Sequence, residues 1–275
     1  MDFTEDVRGK PTPVGLPLLH KELKGLDRKQ QCNNRSAVGM AVYIKGSTIP
    51  DISMAVHQCD RFNKRPMLSH EKAIKRISKY LKSTKDRDIV YNPDHEVVIG
   101  CYVGAGFAGG WGKYDAENPE NVMSSTGFAI FYAGCPVLWQ IKLQTEIALS
   151  TAEAEYIALS SAMREVIPFM YLIEELVTVF EGLHVPKPEV YYKVFEDNRS
   201  CISIAEKQKF SPRTKHIALK FHHFRSLVND KIRISPIDTK EETADIFNKP
   251  LSEDLFKCLR RKLCGWRGIL NHKGM

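Results

Sequence analysis

The sequence predicts an α/β fold: a five-stranded mixed sheet with flanking helices, preceded by a small helical segment. Three observations carry this. Apolar residues recur at helical spacing up to about residue 85 and switch to short Val/Ile/Phe/Tyr runs from residue 96. A helical pattern of almost thirty residues then separates the first three strand-like runs from the fourth. Hydrophobic residues make up 43% of the 275, enough for a packed core.

Residues 1–34 mix Pro, Gly and charge without periodicity and read as a linker or loop. Three helices are expected next, over SAVGMAVYI, over PDISMAVHQCDRF with Pro50 in the first turn, and over SHEKAIKRISKYLKST with Ser69 as its cap. In the third, Ile74, Ile77, Tyr80 and Leu81 share a face. Lys72, Lys75, Arg76 and Lys79 lie outside it, so two readings stand, a solvated helix face or a phosphate-contacting strip. EVVIGCYV, TGFAIFYAG and CPVLWQIK read as strands, the last two joined by a tight hairpin. The long helix begins at Ser150, with Glu153 at the capping-box position, and Pro168 is expected to kink it. YYKVFED is a fourth strand, NRSCISIAEK a short helix, TKHIALKFHHFRSLVND a helix and KIRISPI a fifth strand. TKEETADIF is expected as a helix boxed by Thr239 and Glu242, and SEDLFKCLRRKLCGW as the last helix.

The net charge of +7 is uneven. Residues 1–95 hold 18 Lys and Arg against 11 Asp and Glu, whereas residues 96–275 hold 22 of each, which points to a polyanion as a partner of the first segment. Seven scattered cysteines without a CxxC pair argue against a disulfide framework or a zinc cluster and read as free thiols. With no signal-peptide pattern and no long apolar run, the chain is expected to be intracellular and without a membrane partner.

Three acids sit where strands and helices could bring them together. Asp197 ends the fourth strand, Glu155 lies in the first turns of the long helix, and Asp245 lies in the first turns after strand five. Each also has a local explanation, as a turn residue or as a first-turn acid favoured by the helix dipole.

The strings LSTAEAEYIAL, SSTGFAIFYAGCPVLWQIKLQ, VFEDNRSCI, RTKHI and TADIFNKPL closely resemble the ribonuclease H region of copia-type retrotransposon Pol polyproteins. The three upstream helical strings resemble the thumb end of the same family's reverse transcriptase, so the resemblance runs from about Pro11 to Trp266. It implies a linker at 1–34, a thumb-like remnant at 35–95, a ribonuclease H-like domain at 96–266 and a tail at 267–275. It further implies hydrolysis of the RNA strand of an RNA/DNA hybrid with two Mg²⁺ ions, Glu155, Asp197 and Asp245 serving as metal ligands. Arg213, Lys215 and His216 of the RTKHI stretch would contact the hybrid backbone, beside the Lys72–Lys79 strip.

The family's fourth acid, an aspartate ending strand one, falls on Gly104 of YVGAGFAG, and the motif's second acid falls on Gly106. Asp115 and Glu96 lie too far along the chain to substitute. The resemblance therefore implies impaired hydrolysis or, as the alternative, a catalytically dead module that binds RNA/DNA hybrid. No Tyr-x-Asp-Asp string precedes the thumb-like helices, so polymerase activity is not expected. The chain is expected to be a fragment of a larger Pol reading frame, with the remainder of Pol as a partner.

Overall fold

A computed structural model describes residues 9–16, 18–20, 25–29, 33–93, 99–109, 122–179, 192–207, 217 and 219–265. Helix α1 (Asn34–Ser47) is capped by Asn33, whose side chain accepts from Ser36 N. A 3₁₀ turn (Pro50–Ile52) leads into α2 (Ser53–Arg61), and α3 (Leu68–Ser83) completes the helical unit. The expected Ser69 cap is not used. Helix α3 starts earlier, with Met67 at the cap and the His70 imidazole accepting Met67 N–H at 2.8 Å.

Strands β1 (Ile99–Gly106), β2 (Ser125–Tyr132) and β3 (Cys135–Leu143) are antiparallel neighbours. The β2–β3 hairpin turns through Ala133 and Gly134, both at positive φ, as a two-residue type I′ loop requires. Helix α4 (Thr151–Val179) is continuous across Pro168. Strands β4 (Tyr192–Glu196) and β5 (Ile232–Pro236) add in parallel on the other side of β1, giving the order β3-β2-β1-β4-β5. This is the ribonuclease H-like sheet expected, with β1 at its centre. Helices α5 (Arg199–Glu206), α6 (Asp245–Asn248) and α7 (Glu253–Leu263) complete the described elements.

Each face of the sheet carries its own core. Cys101, Val103, Phe128 and Ile130 face α4 and meet Leu159 and Met163. Ala129 and Phe131 face the other way, against Ile52, Val56 and Ile77 of the helical unit and Phe256 of α7. Covering on both faces explains why TGFAIFY reads as an unbroken apolar run. The helical unit of α1–α3 and the sheet therefore share one of the two cores. A buried polar chain crosses the same boundary: Tyr80 Oη donates to Asp51 Oδ2, and Arg260 Nη1 donates to Tyr80 Oη at 2.7 Å. Hydrogen bonds that involve a charged group contribute about 1.5–3 kcal/mol each.

Two expected helices are corrected. Of the stretch 214–230, residues 219–227 form two short 3₁₀ turns, Leu219–His222 and Arg225–Leu227, and Val228 is extended. Ile217, Phe221 and Phe224 are still buried, because a tight turn satisfies the same three- and four-residue spacing as a helix. The Thr239–Glu242 capping box does not form either. Thr239 Oγ1 donates instead to Asp197 Oδ2, Glu242 is buried, and α6 is a single turn beginning at Asp245.

Candidate metal centre at the strand ends

The centre lies where β1 and β4, adjacent and parallel, end side by side. Tyr102 pairs with Phe195 in register, so Gly104 and Asp197 both follow by two residues. Helix α4 packs on β1 and places Glu155 over this edge, 7% exposed. Asn198 caps α5 by accepting from Ser200 N and Cys201 N, which holds the chain reversal that positions Asp197.

Position 104 belongs to the site. A Cβ built on Gly104 would lie 3.7 Å from Asp245 Oδ1 and 3.3 Å from Asn248 Nδ2. Gly104 O accepts from that same Asn248 amide at 2.7 Å. Position 106 is different. A Cβ there would come within 2.7 Å of Asn248 O and 2.6 Å of Ser125 Oγ, so the glycine permits the close approach of α6.

The acids divide into two groups. Asp245, 1% exposed, is ion-paired with Lys249 Nζ at 2.6 Å, and the same ammonium lies 3.9 Å from Asp197 Oδ2. Burial raises the Asp245 pKa, and Lys249 partly offsets this. Burial alone would lower the Lys249 pKa, but the charges of Asp245, Asp197 and Glu155 outweigh it and hold the amine cationic. On the other side, carboxylate oxygens of Glu155, Glu196 and Asp197 all lie within 4.8 Å of one another. Glu155 Oε2 and Glu196 Oε2 are buried without a hydrogen-bond partner. Burial first, then the neighbouring carboxylates, raises the pKa of both glutamates. Glu242, fully buried, accepts from Ala244 N and is likewise pushed up by burial and by Asp245, Glu196 and Asp197.

Convergent buried oxygens without donors fit a hard divalent cation, which takes carboxylate ligands and offsets their mutual repulsion. The three acids expected from the sequence lie at this one edge, although Asp245 stands on its Lys249-paired side. Glu196, Glu242 and Lys249 were not foreseen. The strand alternation in YYKVFED held the signal for Glu196, since it shares a face with Tyr192 and Val194.

The expected nucleic-acid strip on α3 is partly engaged. Lys75 pairs with Glu71, and Arg76 donates to Thr12 O and Thr12 Oγ1. Lys72 is exposed, and Lys79 lines a cavity of about 630 Å³ between α3 and the segment around Pro13–Leu19. Arg213, Lys215 and His216 lie outside the described residues, as do Glu96 and Asp115. Six of the seven cysteines are described, and all six are free thiols. Among the described residues, one helix, Thr151–Leu176, is long and apolar enough to cross a membrane by length and composition, and half of its most apolar stretch is buried in the fold.

The sheet order β3-β2-β1-β4-β5, with helices on both faces, fits a ribonuclease H-like fold. Over 231 residues the chain is 34% identical to the retrovirus-related Pol polyprotein from transposon TNT 1-94 of Nicotiana tabacum, covering 84% of this chain and 16% of that protein. It is 29% identical over 230 residues to the retrovirus-related Pol polyprotein from transposon RE2 of Arabidopsis thaliana, 83% of this chain and 15% of that one. A secreted RxLR effector protein 161 of Plasmopara viticola is 33% identical over 132 residues, which span 48% of this chain and 87% of the effector. The chain is similar to copia-type retrotransposon Pol polyproteins and spans about a sixth of the length of the two Pol relatives. No family model matches it. Among solved structures, the N-terminal RNase H domain of rv2228c from Mycobacterium tuberculosis aligns over 60% of this chain and 97% of its own, at 11% identity and a TM-score of 0.36.

Proposed function

We propose that the chain is the ribonuclease H region of a copia-type Pol, with thumb-like residues 35–95 ahead of it, and that its hydrolysis of the RNA strand of RNA/DNA hybrids is impaired. The observation that carries this is Gly104. It occupies a site-facing position beside Asp245, and the carboxylate expected there is absent. Glu155 and Asp197 would hold Mg²⁺, with Asp245 as the further family ligand. The bound cation would supply Lewis-acid stabilisation of the phosphoryl oxygens and an activated water. The chain's own contribution is to hold these acids at one strand edge in a partly dry setting and to keep Lys249 protonated against Asp245.

Losing one carboxylate from such a site forfeits several kcal/mol of charge stabilisation. At about 1.4 kcal/mol per tenfold, that is a few powers of ten in rate. The Lys249 ion pair favours a second reading, a module that binds hybrid without cutting it, because an internal ammonium already neutralises Asp245. In both readings Lys72, Lys75, Arg76, Lys79, Arg213, Lys215 and His216 are the candidate backbone contacts, and the remainder of Pol is the candidate partner.

Single-turnover cleavage of a labelled hybrid by the unsubstituted chain and by Asp197→Asn tests the proposal. Slow cleavage that Asp197→Asn removes supports impaired hydrolysis. Retained hybrid binding without cleavage supports the second reading. Cleavage as fast as that of a relative with the β1 aspartate, abolished by Asp197→Asn, would show the Gly104 account to be wrong.

A further inference from the structure

Glu196 is the last residue of β4 and is fully buried. Strand alternation turns it toward the α4 side with Tyr192 and Val194, a face otherwise built for apolar packing. Its Oε1 accepts the Asn198 N–H at 3.0 Å, and the Cys201 thiol, a weak donor, lies beside the carboxylate. Oε2 has no hydrogen-bond partner, and neither does the facing Glu155 Oε2. A buried carboxylate oxygen without a donor is costly unless a cation takes it up. Lys249 pairs with Asp245 and Asp197, on the other side of the cluster. What remains is three acids with ligand oxygens within 4.8 Å of one another, two of them presenting an unpartnered buried oxygen.

We infer that Glu155, Glu196 and Asp197 form a three-carboxylate site for one divalent cation, with Glu196 supplying from β4 the ligand that β1 lacks at Gly104. This rests on the reading of the strand edge as a divalent-cation centre. It adds that the centre is rebuilt rather than merely diminished. Two adjacent parallel strands end at the same edge, so a carboxylate on either can reach a cation held by Glu155 and Asp197. The rebuilt site takes a single ion, because Asp245 is already paired with an ammonium.

The test is titration of the full chain with Mn²⁺, following the free-ion signal by electron paramagnetic resonance, with the thermal midpoint in EDTA as a check on folding. The unsubstituted protein is expected to bind one Mn²⁺. Glu196→Gln, which keeps shape and removes charge, is expected to weaken binding tenfold or more with the EDTA midpoint kept, and Glu196→Asp to recover part of the loss. Should Glu196→Gln not fold, Glu196→Asp carries the test alone, with affinity reduced and not abolished. Wild-type affinity in a folded Glu196 variant, alongside loss in Asp197→Asn, would overturn the role of Glu196 and leave the hydrolase reading standing. No Mn²⁺ bound by the unsubstituted chain would overturn the three-carboxylate site. In that case the hydrolase reading is judged separately, by whether Gly104→Asp binds Mn²⁺ and cuts hybrid.

Discussion

The two sides of the strand-end acid cluster solve the same electrostatic problem differently. Asp245 and Asp197 have Lys249, one helical turn beyond Asp245, whereas Glu155 and Glu196 have buried oxygens that, among the described residues, feel Lys249 only at a distance. The difference teaches where an external charge is needed. A side neutralised internally is stable as folded, whereas buried carboxylates without a contacting cation are where the proposed metal ion would add most.

The largest change to this contrast comes from returning a carboxylate to β1. Gly104 is not at positive φ, so an aspartate suits the backbone, and the Asn248 amide needs to move only a few tenths of an ångström. Gly104→Asp is expected to raise single-turnover hybrid cleavage by orders of magnitude, and Asp245→Asn in that background to take most of the gain away. If Asp245→Asn has no effect there, the Lys249 side takes no part in the chemistry.

Removing the internal cation attacks the contrast from the other side. Lys249→Met leaves Asp245 buried without a partner and is expected to cost about 3 kcal/mol in urea unfolding under EDTA. Glu155→Gln, which relieves repulsion among the unpaired acids, is expected to cost far less or to stabilise. Equal losses in the two variants would erase the distinction between the sides.

A smaller effect is expected from pH. Glu155 and Glu196 ionise near 4.5 in the unfolded chain and above that when folded, because burial and mutual repulsion disfavour their charged forms. Above pH 4.5 the folded state therefore binds more protons than the unfolded one, and stability in EDTA falls as pH rises toward the folded values. Mn²⁺ reverses the trend, since it binds the deprotonated acids, so its stabilising effect grows with pH. The thermal midpoint from pH 5 to 8, with and without Mn²⁺, checks both signs.

The smallest effect concerns the α3 strip. Lys75 and Arg76 are already engaged by Glu71 and Thr12, so neutralising Lys72, Lys75, Arg76 and Lys79 together is expected to flatten the salt dependence of hybrid binding only modestly. A slope reduced by a full four phosphate contacts would mean that the strip opens on binding.

Strands and the long helix were legible in the sequence because alternation and length are strong local signals; every strand lies where its Val/Ile/Phe run does. What failed was capping and fine helix type. Ser69 and Thr239 have the right chemistry for caps, but Ser69 falls inside a helix that begins at Leu68 with His70 accepting Met67 N–H, and the Thr239 hydroxyl is turned to Asp197. The periodicity of Ile217, Phe221 and Phe224 fixes which side chains are buried, not which carbonyl each amide bonds. At the strand edge, resemblance singled out Glu155, Asp197, Asp245 and Gly104, which the fold brings to one end of the sheet. Glu196 and Lys249 escaped because a motif records the positions a family uses, whereas their roles follow from burial and from pairing in space.

Counting bound Mn²⁺ in the unsubstituted chain and in Gly104→Asp tests the central claim most directly. One ion in the first and two in the second is the result expected, since the restored β1 carboxylate would stand beside Asp245 and the two acids together would offer a second cation ligands that compete with the Lys249 ion pair. Two ions in the unsubstituted chain, or no additional ion in Gly104→Asp, would contradict the account.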